Sequence, residues 1–129
     1  MSLPYKAFVI DAFKKVLDVI TAAKVYTETE LHAIRKFKKA YEIELDSFLK
    51  RYEEIRKEWE QKLQESKEDE EAKKNINQTY TSKINELLNC VSEVKPLDYS
   101  KIQKAMQEKI ISPDDMNFLE PVLINIPEE

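Results

Sequence analysis

One histidine, His32, and one cysteine, Cys90, stand against twenty-five carboxylates in this chain. Metal binding or acid–base catalysis through His32 needs companions, and no HxxxH, HxxE or CxxC spacing supplies them. His32 follows Leu31 on a charged stretch and reads as a surface side chain. A nucleophilic Cys90 wants a base nearby. None is legible, and beside Val91 the thiol reads as a small buried residue at a helix end. Glu53, Glu54, Glu58 and Glu60 carry enough charge to hold a cation. A dinuclear site in a helical bundle, however, calls for Glu-x-x-His on two helices, so these acids read as a solvated face. Glycine is absent altogether, which removes GxGxxG, the GxxxxGK phosphate loop and the nucleophile elbow. The expectation is a protein that is not an enzyme, with no catalytic, cofactor-binding or metal-ligating set and no small-molecule substrate.

The missing glycine also bounds the architecture. Tight hairpin turns and many helix C-caps rely on positive φ, which glycine supplies. A chain without it is expected to be long helices joined by polar turns. Charged residues make up 36% of the sequence, above the usual share of about 25%, which fits solvated helices that each bury one stripe. The net charge of −4 argues against nucleic acid as a partner, because duplex binding needs many cations against phosphates. A local exception is the basic face Arg35, Lys38 and Lys39, placed to meet phosphate or an acidic protein surface. Glu42, Glu44 and Asp46 follow within two turns and are spaced to neutralise it. No apolar run reaches membrane-span length, no secretory signal is legible, and a lone cysteine fits a reducing cytoplasm.

The elements that position these residues follow from periodicity. Residues 4–25 read as a first helix, with Val9, Phe13, Val16 and Ile20 on its apolar face and Pro4 in its first turn. Thr27 with Glu30 forms a capping-box pattern, flanked by Tyr26 and Leu31 as a hydrophobic staple. A second helix then runs from Glu28 to about Ser66 without proline, glycine or asparagine. Residues 65–74 are almost wholly charged and read as a loop or frayed tip. Ile76, Tyr80, Ile84, Leu87, Leu88 and Val91 mark a third helix running back, with Asn89 as its nearest C-cap. Residues 92–97 read as extended. Asp98 and Ser112-Pro113-Asp114-Asp115 each open a short helix, and Pro121 closes the second. Residues 122–127 read as an extended segment that adds to a strand at 92–95 or docks on a partner.

On the second helix Leu45, Phe48, Tyr52, Ile55 and Trp59 recur at heptad-like spacing. A helix of nearly 40 residues is ~60 Å long, beyond the reach of the first helix alone. The third helix or another copy of the chain must shield Tyr52, Ile55 and Trp59. The predicted fold is all-α: a long antiparallel helical hairpin, coiled-coil-like, over residues 1–91, braced by the N-terminal helix. Residues 92–129 form a C-terminal lobe packed on the same domain.

The order of elements resembles a group of small proteins encoded among the virion genes of tailed bacteriophages. The likeness runs from the apolar helix at 7–22 through Ala33-Ile34-Arg35-Lys36 and Phe48-Leu49-Lys50-Arg51-Tyr52-Glu53-Glu54-Ile55-Arg56. It continues through Lys83-Ile84-Asn85-Glu86-Leu87-Leu88-Asn89 to the closing Asn117-Phe118-Leu119-Glu120-Pro121-Val122-Leu123. Where similar proteins often carry a more acidic stretch, this chain has Cys90-Val91. The resemblance implies a phage-encoded protein, in host cytoplasm or virion, and carries no functional residues across. The functional expectation is a noncatalytic assembly or protein-interaction component with a protein partner. Self-association through Leu45, Phe48, Tyr52, Ile55 and Trp59 is part of it; the alternative is a regulatory or inhibitory binder of a host protein.

Overall fold

Thr27 and Glu30 decide where the longest element begins. In the computed structural model, which describes residues 2–127, the Thr27 hydroxyl accepts from the Glu30 backbone N–H at 3.2 Å. The Glu30 carboxylate in turn accepts from the Thr27 N–H at 2.8 Å. This reciprocal cap satisfies two orphan donors and launches α2, Glu28–Glu65. The helix then runs unbroken for 38 residues. Before it lies α1, Asp11–Ala22, and after it α3, Glu70–Asn89. The tip between α2 and α3 is tighter than the charge run implied. Only residues 66–69 leave the helix, because the Asp69 carboxylate accepts from Ala72 N–H and starts α3 at once. Two short helices follow, α4 (Gln103–Gln107) and α5 (Pro113–Leu119), the latter under a full Ser112–Asp115 capping box. The fold is all-α, a long helix packed on its neighbour, with short C-terminal helices and little strand.

The first helix departs from expectation. Residues 4–10 and 23–25 are not α-helical: the backbone turns extended at Ala23 after α1, Tyr5–Ala7 form one 3-10 turn, and the backbone at Ile10 is extended before α1 begins. The break has a packing cause. Phe8 is fully buried with its ring 5.6 Å from Tyr41, while Tyr5 reaches further along α2 to Phe48, 5.3 Å away. The N-terminal strip is then held by the chain beyond α3. Leu3 N–H donates to Val94 C=O and Ser92 N–H to Leu3 C=O, both at 2.8 Å. The Ser92 hydroxyl, itself buried, donates to Leu3 C=O at 2.7 Å and accepts from Val94 N–H.

This pairing corrects two expectations. Cys90 is exposed rather than buried, and Val91 is 69% exposed rather than on the apolar face of a helix. Helix α3 ends at Asn89 and the chain turns extended at Cys90, whose carbonyl accepts from Tyr5 N–H. The backbone of Cys90 is what the fold uses. Likewise the C-terminal segment does not add to 92–95, because Leu3 bonds to Ser92 and Val94 there. Instead β1, Leu97–Asp98, pairs in parallel with β2, Leu123–Ile124, and Asn125 donates to the Asp98 carboxylate at 2.8 Å.

The main core gathers at one end. From α1 it takes Phe13, Val16, Leu17 and Ile20; from α2 only Ile34, Phe37 and Tyr41. The cluster also holds Leu3, Ala7 and Phe8 from the N-terminal strip, and Val94, Leu97, Ile102, Ala105, Ile111, Met116, Leu119, Val122 and Leu123 from the chain after α3. Segments from both ends of the chain thus share one core. Helix α1 packs against both α2 and α5, as its wide apolar face requires. No part of α3 joins this core cluster.

Replacing Phe13, 1% exposed and in contact with Phe37 and Tyr41, by alanine removes about 3–5 kcal/mol of stability. Replacing Ile43, 59% exposed, by alanine changes stability by less than about 0.5 kcal/mol; urea unfolding of the two variants checks the contrast. Lys109 closes α4 with φ 57°, a left-handed conformation that glycine adopts freely. Lys109→Gly removes a left-handed penalty of roughly 1–2 kcal/mol and adds unfolded-chain entropy worth about 0.4–1 kcal/mol, so a net gain of up to about 1 kcal/mol is expected in the same measurement.

Candidate protein-interaction surface

Beyond Tyr41, α2 leaves the main core and its apolar side chains find other cover. Phe48 lies under the Tyr5 ring and stacks on the half-buried Tyr52, ring centres 6.0 Å apart. Ile55 is 2% exposed. Trp59 stacks on Tyr80 of α3 at 5.9 Å and 15°, and its indole N–H donates to Asn77 Oδ1 at 2.9 Å. The third helix therefore shields Trp59, while the Tyr52 ring rests on Phe48 of α2 itself. Of the five expected interaction residues, Phe48 and Ile55 are spent on intramolecular packing, while Leu45, Tyr52 and Trp59 remain half-buried.

Polar groups tie the arm together. The Tyr80 hydroxyl donates to Glu58 Oε1 at 2.9 Å, and Lys83 Nζ lies 3.6 Å from the same carboxylate and 4.6 Å above the Tyr80 ring. The Tyr80 hydrogen bond and the Lys83 charge hold the Glu58 carboxyl below its usual range. Arg56 bridges Glu53 and Glu60 along α2. The four acids read as a solvated face are thus divided. Glu53 and Glu60 pair with Arg56, Glu54 pairs with Arg51, and Glu58 joins the helices. Among the described residues no three histidine, cysteine, aspartate or glutamate side chains converge as a metal site would need.

The basic face is only partly neutralised, and mostly by a different element from the one its spacing indicated. Lys38 meets Asp18 of α1 at 3.3 Å and Glu42 at 4.0 Å. Glu44 instead accepts from the Tyr5 hydroxyl, and Asp46 pairs with Lys50. Arg35 and Lys39 are exposed and form no ion pair among the described residues. His32 is exposed about one turn before Arg35. No helix among the described residues is long and apolar enough to cross a membrane.

A surface feature that the heptad reading passed over lies between α1 and α2. Buried Leu17 and Tyr41 and half-buried Leu45 line a groove edged by Lys14, Asp18, Lys38, Glu42 and Asp46. Leu49 closes its far end with 48% of its surface exposed. The signal was present as the spacing Leu45-Leu49-Tyr52, one register across from the buried stripe. Nothing in that spacing says which of two adjacent stripes a neighbouring helix will cover.

Comparison with known proteins finds no matching family model, no matching curated relative and no matching solved structure. The surface is accordingly read from its own geometry.

Burial, with the nearby Glu44 carboxylate, pushes the Tyr5 phenol up to about 12, and burial does the same to Tyr41. A phenol whose folded pKa exceeds its unfolded value near 10 stabilises the fold fully below pH 10. That contribution is lost as pH rises through 12. Tyrosinate absorbance of the native protein should therefore lag behind that of the urea-unfolded chain between pH 10 and 12, and the thermal midpoint should fall across the same window. For Glu58 the sign is opposite. Its depressed pKa places the arm's loss on the acid side, so Trp59 fluorescence should hold through the ordinary carboxylate range and change only below it.

Proposed function

We propose that this chain is a noncatalytic protein-interaction component, encoded by a tailed phage, that acts in assembly by packing helices against other proteins, copies of itself included. The observation that supports the reading is the projecting arm. The main core ends at Tyr41 of α2, yet α2 continues to Glu65 and α3 returns from Glu70 with Tyr80 as its one buried residue. From Phe48 to Glu65 the arm extends about 27 Å at 1.5 Å per residue. An arm that long contributes little to the core and offers long helical faces to a partner. Partner recognition by helix packing needs only apolar anchors and a charged rim, and both line α2. The phage setting rests on the resemblance in element order.

Arg35 and Lys39 favour a second reading, a regulatory or inhibitory binder whose basic face meets an acidic surface on a host protein. One experiment separates the two. The chain, immobilised by its C-terminus, is incubated with lysate from phage-producing cells, and bound proteins are identified by mass spectrometry. Recovery of capsid or tail components fits the assembly reading, and loss of that recovery in Trp59→Ala would place the contact on the arm. Recovery of one host factor, abolished by Arg35→Glu with Lys39→Glu, fits the second. Turnover of a substrate by the purified chain would overturn both.

A further inference from the structure

Lys38, Glu42, Leu45, Leu49, Tyr52 and Arg56 recur along α2 at alternating spacings of four and three, which keeps them on one stripe of a helix. The stripe runs beside the one whose Ile55 and Trp59 α3 covers. It opens into the groove between α1 and α2, where Leu17 and Tyr41 lie buried, and at Leu49 it borders a second hollow lined by Glu53 and Lys57. Leu49 stands between the two hollows, nearly half exposed.

We propose that this stripe is the docking surface for a second copy of the chain, whose α2 lies antiparallel in the groove with the two Leu49 side chains meeting at the twofold axis. The proposal rests on the interaction reading above and names its partner and its surface. The order of charges selects the occupant. Lys38 and Glu60 stand eleven residues to either side of Leu49, and Glu42 and Arg56 stand seven. In an antiparallel pair centred on Leu49, residues equally far from the centre face each other. Lys38 then meets Glu60 of the partner subunit, and Glu42 meets the partner's Arg56. The twofold axis repeats each pair, as an isologous contact demands. A parallel pair in register would instead set Lys38 on Lys38, Glu42 on Glu42 and Arg56 on Arg56, opposing like charges at every step.

These side chains are already engaged within their own chain, Lys38 with Asp18 and Glu42, and Arg56 with Glu53 and Glu60. Such partly exposed pairs contribute little and exchange partners at small cost. The docking gain comes from the apolar centre, where Leu49 would leave water against Leu45 and Tyr52. The charges set direction and register.

The test is sedimentation velocity of the full chain from about 1 to about 100 μM, where a contact of this modest size should reveal its equilibrium. A monomer–dimer transition is expected. Leu49→Glu should weaken it at least about tenfold with helicity unchanged, and with the thermal midpoint unchanged at concentrations where both chains are monomeric, since Leu49 is outside the core cluster. Glu42→Arg and Arg56→Glu should each weaken the dimer, and the double variant should restore it. An equimolar mixture of the two single variants should form heterodimers, because one chain then presents arginine at both positions and the other glutamate. A monomer throughout the range overturns the proposal. So does a dimer indifferent to Leu49→Glu, or a double variant as weak as the singles. A monomeric chain that still recovers virion components removes self-docking and leaves the interaction reading in place. A dimer that recovers nothing does the reverse.

Discussion

At 1.5 Å per residue, the 38 residues of α2 extend about 57 Å, more than a chain of this size can surround. That length divides the molecule. Near the start of α2 there are enough other segments to build a layered core around Ile34, Phe37 and Tyr41. Farther along there is only α3. Two helices side by side bury one narrow stripe each, and the rest of each surface stays in water. The arm is thin for this reason, and its few buried residues are reinforced by groups that add direction to packing. The Trp59–Tyr80 stack, the indole bond to Asn77 and the Glu58–Tyr80–Lys83 cluster all cross the same interface. Together they fix how α3 sits on α2 where apolar area is scarce.

The base solves a different problem. Its core draws on segments far apart in the chain, so something must hold the ends together. Leu3 and Ser92 do so through backbone bonds and one buried hydroxyl. Burying a hydroxyl without partners is unfavourable. Ser92 both donates and accepts, so it joins the N-terminal strip to the segment after α3 without leaving an unsatisfied group. Tyr5 then sits where base and arm meet, against Phe8 on one side and Phe48 on the other, its hydroxyl on Glu44. The same packing that breaks the first helix at residues 8–10 makes this bridge possible.

Helix boundaries were largely legible from side chains that cap locally. Thr27 with Glu30 and Ser112 with Asp115 behave as their types and spacing indicate, because a cap is settled within three residues and needs no tertiary partner. Asp98 with Ser100 caps only the 3-10 turn Tyr99–Lys101, and α4 starts at Gln103 without a side-chain cap. The absence of glycine was informative for the same reason. Helices α1 and α3 end in extended backbone, α2 closes without positive φ, and Lys109 and Asn125 take the two positive-φ positions among the described residues. What was not legible is everything that depends on a distant segment. Periodicity alone continued the first helix through Phe8 and placed Cys90 and Val91 on a buried face. It could not weigh a continuing helix against the pull of Tyr41, Phe48 and Leu3.

The interaction surface divides along the same line. That α2 would carry more apolar residues than one neighbour can bury follows from its length and spacing, both properties of the chain by itself. Which of them stay accessible was decided only when α3 settled over Ile55 and Trp59 and Tyr5 over Phe48, leaving Leu45 and Leu49 along a groove with α1. A helix presents its stripes equally to solvent until something packs on it, and the choice among adjacent stripes is made by shape and charge on the other element. Local side-chain chemistry thus determined where the helices start and stop, and long-range packing determined which of their faces remain for a partner.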